Sequence, residues 1–225
     1  MQHTEVGKTW TKLSLISGHA RRDRAFKFTS LAHLLDEEYL RDCYQSLNRN
    51  KAVGIDSISW QEYGAHRDEN LAQLASRLKR KKYKPLPARR VYIPKNEQET
   101  RPLGISALEN KIVERGITWI LESIYEQDFQ DCSYGFRPGR NCHQALKQLN
   151  DLIRCQPVNH IVEADIKGFF DNVDHDKLMD FIRIRISDTA LLNLIGKFLK
   201  AGYIDDGQLS GRTKGHRKVP SSVRC

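Results

Sequence analysis

The chain has 225 residues, 39% of them hydrophobic, and a net charge of +9 with histidines neutral. That balance excludes a disordered or membranous chain, leaves enough apolar residues for a real core, and favours a polyanionic partner. No run approaches the length of a transmembrane helix, and Met1 to Leu15 lacks the apolar centre of a secretory leader, so a cytoplasmic chain is expected.

Residues 1 to 29 are polar and basic without a clear period and read as a flexible arm. Leu31, Leu34, Leu35, Tyr39, Cys43 and Leu47 keep helical spacing, which predicts an amphipathic helix over 30–48. Lys51 to Asp56 is a turn around Gly54. A second helical region, with Leu71, Leu74 and Leu78 on one face, runs to about Lys81 and is stopped by Pro85 and Pro87. Across its end lies the densest charge in the chain: Arg77, Lys79, Arg80, Lys81, Lys82, Lys84, Arg89 and Arg90, with no acid among them. Such a run is either a solvated face or a surface for nucleic-acid phosphates, and phosphate contacts give affinity rather than sequence choice.

Arg89 to Lys95 alternates as a strand, Asn96 to Thr100 is a polar turn, and Arg101 to Ile105 returns, so a hairpin is expected with Lys95 and Arg101 flanking its tip. Those two cations are either surface charges or a clamp on phosphates, the lysine as a point charge and the arginine as a forked donor. Leu108, Ile112, Ile117, Ile120, Leu121 and Ile124 predict a long helix over about 107–126. Ser133 to Arg140 is a glycine-proline loop with two aromatics and two arginines, and Leu146, Leu149 and Ile153 mark the helix after it.

The stretch from His160 to Asp165 opens with apolar and β-branched residues, and predicts a short strand ending on an acid; Gly168 and two aromatics then turn into a helix. A carboxylate in that position suits a metal ion beside a phosphate-bearing substrate, or a cap on the following turn. The residues alone leave both open. Asp174 is expected to cap a helix carrying Leu178, Phe181 and Ile182, and a further helix follows through Leu191, Leu194, Ile195, Phe198 and Leu199. The five cysteines, Cys43, Cys132, Cys142, Cys155 and Cys225, show no paired zinc spacing and read as free thiols.

Four of these stretches in this order (Arg-Arg-x-Tyr-Ile-Pro-Lys, Arg-Pro-Leu-Gly-Ile, Ser-Tyr-Gly-Phe-Arg-Pro-Gly-Arg and Ala-Asp-Ile-Lys-Gly-Phe-Phe-Asp-Asn-Val-Asp-His) resemble the reverse transcriptases of bacterial group II introns, also called intron maturases. The resemblance covers roughly residues 30 to 205. It implies an α+β chain: mostly helical fingers with a β-hairpin, plus an incomplete palm of a right-hand polymerase. The implied divisions are an arm over 1–29, fingers with an N-terminal extension over 30–155, and a partial palm over 156–214. It implies RNA-templated DNA synthesis with two divalent metals, Mg2+ or Mn2+, and a dNTP substrate. Intron or template RNA and an RNA/DNA primer-template would be the partners. Asp165 would be the first metal-holding aspartate and the carbonyl of Ile166 a further ligand. Lys95, Arg101 and, more remotely, Lys111 would grip the triphosphate. Phe170 would lie under the sugar and exclude a ribose 2′-hydroxyl. The Arg77–Arg90 run and the Phe136-Arg137 loop, with Arg140, would face template RNA.

The family's next segments are a Pro-Gln-Gly stretch and a Tyr-Ala-Asp-Asp hairpin, and neither is written here. Tyr203-Ile204-Asp205-Asp206 imitates the second, but helical spacing precedes it and no buried strand follows, so a surface turn is expected. Residues 215–225 can be back-translated so that a one-base shift yields Thr-Pro-Gln-Gly-Ser-Val-Val-Cys-Pro-Leu, which points to a frameshifted tail. With one expected metal-holding aspartate, the chain alone is expected to be inactive as a polymerase. The alternative is a non-catalytic, maturase-like RNA-binding fragment, or a decayed product without a role.

Overall fold

The computed structural model describes residues 7–94, 96–97, 99–166 and 168–210. Nine α-helices and four strands are formed among them. The expected mixture of helix and sheet is observed.

The first helix, α1 (Lys8–Arg22), lies in the segment that reads as a flexible arm. It is not an arm. Leu13, Ile16 and Ala20 recur at helical spacing and are buried in the main core. A short 3-10 turn (Ala32–Leu34) leads into α2 (Glu37–Ser46), whose first turn is capped by Asp36. Then come α3 (Trp60–Ala65), opened by a Ser59–Glu62 capping box, and α4 (Arg67–Lys79). The long helix α5 (Leu108–Tyr125) is the centre of the body: Ile112, Val113, Ile120 and Ile124 are completely buried, with α1 and α2 packed on it. At Gly116 a Cβ would stand 2.8 Å from Leu35 Cδ2 and 3.1 Å from Tyr39 Cε1. Tyr39 also donates its hydroxyl to the Gly116 carbonyl at 3.0 Å. The bare α-carbon is what lets α2 come this close.

After α6 (Cys142–Cys155) and the single turn α7 (Phe169–Asn172) come α8 (His175–Arg185) and α9 (Thr189–Lys200). Asp174 caps α8 as expected, accepting from the amides of Asp176 and Lys177. The last two helices close onto the N-terminal region. Phe28 and Ile186 form a parallel bridge, and Arg185 donates twice to Asp128 at 2.6 and 2.7 Å. Asp188 uses one oxygen to cap α9 and the other to accept from the amides of Leu31 (2.6 Å) and Ala32 (2.7 Å). Burial opposes its charge, but these four amide donors outweigh burial and hold the carboxyl below its ordinary value. One hydrophobic core runs through α1, α2, α4, α5, α8 and α9.

The expected hairpin is present as β1 (Ala88–Pro94) and β2 (Thr100–Ile105), antiparallel with Ile93 opposite Arg101. β2 is an edge strand, the position in a sheet where a proline such as Pro102 is tolerated. Beyond the hairpin the sheet continues in the order β2-β1-β3-β4, with β3 (Tyr203–Asp205) parallel to β1 and β4 (Gln208–Ser210) antiparallel to β3. Tyr203 to Asp206 is therefore part of a hairpin rather than a bare surface turn. Its turn residues, Asp206 (φ 45°) and Gly207 (φ 79°), both take the positive φ of a type I′ connection.

The strand expected over 160–165 does not form. Residues 157–166 carry no regular structure, and Ile161, Val162 and Ile166 are exposed at 68, 89 and 69%. Strand propensity needs a neighbour to pair with, and no described strand lies beside this segment. Helix α6 shares the situation: its spacing is helical as expected, yet it buries nothing, and Leu146, Leu149, Leu152 and Ile153 face solvent.

Candidate nucleotide and nucleic-acid interface

The sheet presents the β1–β2 hairpin and fixes its base. Arg90, on β1, stacks its guanidinium 3.5 Å over the ring of Tyr203 and stands 3.8 Å from the Asp205 carboxylate. Two residues on, the Tyr92 hydroxyl donates to Asp205 at 2.7 Å, and this bond pushes the Tyr92 phenol up. Asp205 is thus committed to fastening β3 onto β1 rather than to a pair with Asp206. Sequence reasoning missed this cluster, although Asp206-Gly207 is a strong hairpin signal.

At the far end of the hairpin, the tip closes through the Asn96 side chain, which accepts from the amide of Glu99 at 2.6 Å. Arg101 is exposed beside it on β2. Lys95 lies outside the described residues. So does the side chain of Phe170, which belongs to α7. The fourth expected nucleotide contact, Lys111, is turned elsewhere: its ammonium donates to the carbonyl of Ala52 at 2.7 Å. Burial pulls this lysine below its ordinary value, against the opposing influence of Asp56 and Glu114. Arg89 reaches the same turn, donating to Val53 O at 2.9 Å. Gly54 then sits so close to α5 that a Cβ would lie 2.4 Å from Ala107 Cα. Lys111 and Arg89 therefore hold the 51–56 turn against the start of α5.

The basic run divides in two. Arg77 pairs with Glu109 at 2.6 Å and lies over the Tyr83 ring; with Arg89 and Arg90 it is committed to the protein's own structure. Lys79, Arg80, Lys81, Lys82 and Lys84 are all exposed. They are brought together because α4 ends there in a tight C-terminal motif. Lys81 takes φ 58°, its amide bonds Leu78 O, and the amide of Lys82 bonds Arg77 O.

The loop arginines are corrected in a similar way. Arg137 is buried, with two of its nitrogens on Glu126 and the third on the carbonyls of Gln130 (2.8 Å) and Ser133 (2.7 Å). Four of its five N–H donors are thus spent inside the protein. Arg140 pairs with Asp131 at 3.1 Å and keeps partial exposure.

Asp165 is exposed in the unpaired segment, as is Ile166. The capping alternative is not observed. α7 begins at Phe169 after Gly168, whose φ of 62° suits glycine, and no side chain caps it. Among the described residues no group of three His, Cys, Asp or Glu side chains is placed to hold a metal ion, so those residues as arranged do not fit a two-metal centre. Also among them, no helix is long and apolar enough to cross a membrane. Cys43 is a buried free thiol, and Cys132, Cys142 and Cys155 are exposed free thiols. Cys225 and the tail beyond Ser210 lie outside the described residues.

Comparison with known proteins gives this geometry a family. A family model described as reverse transcriptase (RNA-dependent DNA polymerase) matches residues 93–221. The group II intron-encoded protein LtrA of Lactococcus lactis subsp. cremoris is 39% identical over 202 residues, which cover 89% of this chain and 33% of LtrA. Protein YkfC of Escherichia coli (strain K12) is 36% identical over 203 residues, covering 87% of this chain and 53% of YkfC. Nuclear intron maturase 1, mitochondrial, of Arabidopsis thaliana is 31% identical over 94 residues, 41% of this chain and 13% of that protein. The chain thus spans between a third and about half of the length of LtrA and YkfC.

Proposed function

The chain belongs to the reverse transcriptase (RNA-dependent DNA polymerase) family, and on that premise we propose that it supplies the fingers and the first part of the palm of a group II intron-type enzyme. In this reading the β1–β2 hairpin is the fingers hairpin, with Lys95 and Arg101 directed at the triphosphate of a dNTP. The exposed cations Lys79, Arg80, Lys81, Lys82 and Lys84 run along RNA phosphates. Asp165 is a metal-holding aspartate, with the Ile166 carbonyl beside it. Two-metal nucleotidyl transfer needs several carboxylates to hold cations about 4 Å apart. The described residues do not assemble them, and the part left to this chain's own side chains is to bind and orient nucleic acid. By itself the chain binds RNA and does not extend a primer.

The observation that supports this reading is the division of the basic run: three arginines anchor elements, and five neighbouring cations remain at the surface. The test uses the purified chain with an RNA template, a DNA primer, dNTPs and Mg2+ or Mn2+. Binding without extension is expected. Robust extension that Asp165→Asn abolishes would overturn the proposed inactivity. Absence of RNA binding at low salt would overturn the binding role.

A further inference from the structure

The loop between α5 and α6, which the family resemblance turns towards template RNA, carries a feature that the basic run does not explain. Phe136 is 100% exposed, the most exposed large hydrophobic side chain among the described residues, and it holds φ 57°. A phenyl ring in open water forgoes its burial energy. A left-handed backbone at a residue with a Cβ adds a steric cost. Glycine or asparagine would relieve both costs if the position served only as a turn.

The rest of the loop is held firmly around this one residue. Arg137, next in the chain, is clamped by Glu126 and two carbonyls and stacks 5.0 Å from the Phe129 ring centre. On the other side Tyr134 donates its hydroxyl to Gln148 at 2.6 Å. Arg140 lies 5.4 Å over Tyr134 and pairs with Asp131. Gly135 and Gly139 stand in open space, since a Cβ at either would meet nothing within 4 Å. The strain is therefore imposed by a fixed frame whose effect is to hold a bare aromatic face outwards.

We propose that Phe136 is a stacking platform for an unpaired nucleobase of bound RNA, and that Arg137 is the positioning residue that presents it. The inference rests on the RNA-binding role proposed above and adds a contact of a different chemistry. A nucleobase suits a lone ring, because stacking needs one flat face and no surrounding apolar patch. A protein partner would need such a patch, and here the ring's chain neighbours are Gly135 and Arg137, with Pro138 and Gly139 beyond. The phosphates on either side of the base would meet a chain of net charge +9.

The experiment measures binding of the whole chain to a single-stranded oligoadenylate RNA carrying one 2-aminopurine, and to the same RNA with abasic positions. Phe136→Ala is expected to weaken binding by about tenfold, the usual worth of one stacked base. Phe136→Trp restores it. The salt slope stays unchanged, 2-aminopurine emission is quenched by the unaltered chain and less by Phe136→Ala, and the two proteins bind abasic RNA equally. Phe136 packs on nothing, so Phe136→Ala should melt with the unaltered chain, which separates a lost contact from a lost fold. If the unaltered chain binds RNA and Phe136→Ala binds it equally well, stacking is overturned while the RNA-binding role stands. If neither binds at low salt, both fall. A change in sedimenting mass on Phe136→Ala, without a change in RNA affinity, would mark the ring as a protein contact and overturn the proposal.

Discussion

Replacing Lys79, Arg80, Lys81, Lys82 and Lys84 together by glutamine removes five charges that the structure leaves at the surface. Replacing Arg77, Arg89 and Arg90 removes three that it uses internally. Composition treats the two sets alike, and the structure does not. Each phosphate neutralised on a single strand adds roughly 0.7 to the slope of log affinity against log salt. Five contacts therefore contribute about 3.5. Between about 50 and 200 mM salt, a logarithmic interval of roughly 0.6, that slope corresponds to about two decades of affinity. The assay is an RNA titration at four or more salt concentrations for the unaltered chain and both sets. The surface set should flatten the slope by up to about 3.5, in steps of about 0.7 per residue. The internal set should leave the slope nearly unchanged and instead lower the melting temperature, because a clasp on the 51–56 turn and the seam between β1 and β3 are lost. Equal slope changes per charge in both sets, or an unchanged slope in the surface set, would refute the division of the run.

Four further outcomes follow from the packing. Asp188→Ala strips the acceptor from four amides at a buried junction and should cost roughly 2–4 kcal/mol by chemical denaturation. Its carboxyl is held below its ordinary value in the fold, so its contribution is full above about pH 4, the unfolded value, and is lost as pH falls through the lower folded value. Urea midpoints of the unaltered chain should therefore fall with pH in the acid range, and Asp188→Asn should flatten that fall. Gly116→Ala drives a methyl into Leu35 and Tyr39 and should destabilise by about 1–3 kcal/mol, measured the same way. Arg137→Ala frees the 130–140 loop, so amide exchange there should speed up while α5 exchanges as before.

The helices of the centre are legible because leucine and isoleucine mark their period plainly, as in α5 and α9. Helix α1 is not. Its buried set is Thr9, Leu13, Ile16 and Ala20, while Trp10 and Leu15 are exposed at 43 and 61%, so the apolar stripe is blurred by residues on the wrong face. The β1–β2 hairpin can be read from local alternation and a polar turn. The β3–β4 hairpin escapes a rule that requires apolar strands, a condition that a short hairpin at the sheet edge need not meet. His160 to Asp165 shows the opposite failure. Its β preference is genuine, but pairing is a non-local event that propensity does not supply. The site divides along the same line. Charge and exposure can be inferred for the lysines, whereas Arg90, Arg137 and Lys111 find their partners only through the fold.

The Phe28–Ile186 bridge and the double use of Asp188 have a consequence during synthesis. The Asp188 contact with the Leu31 amide spans 157 residues of chain. At roughly 5–20 residues per second, a ribosome needs about 8–30 seconds between making the two ends of that contact. Helix α1 can settle on α5 well before then, but the amides of Leu31 and Ala32 have no acceptor from Asp188 until α9 begins to emerge. Cooperative locking of the whole helical body is thereby deferred until Asp188 has been made, and a nascent chain halted before Asp188 would hold α1, α2 and α5 together without their closing latch.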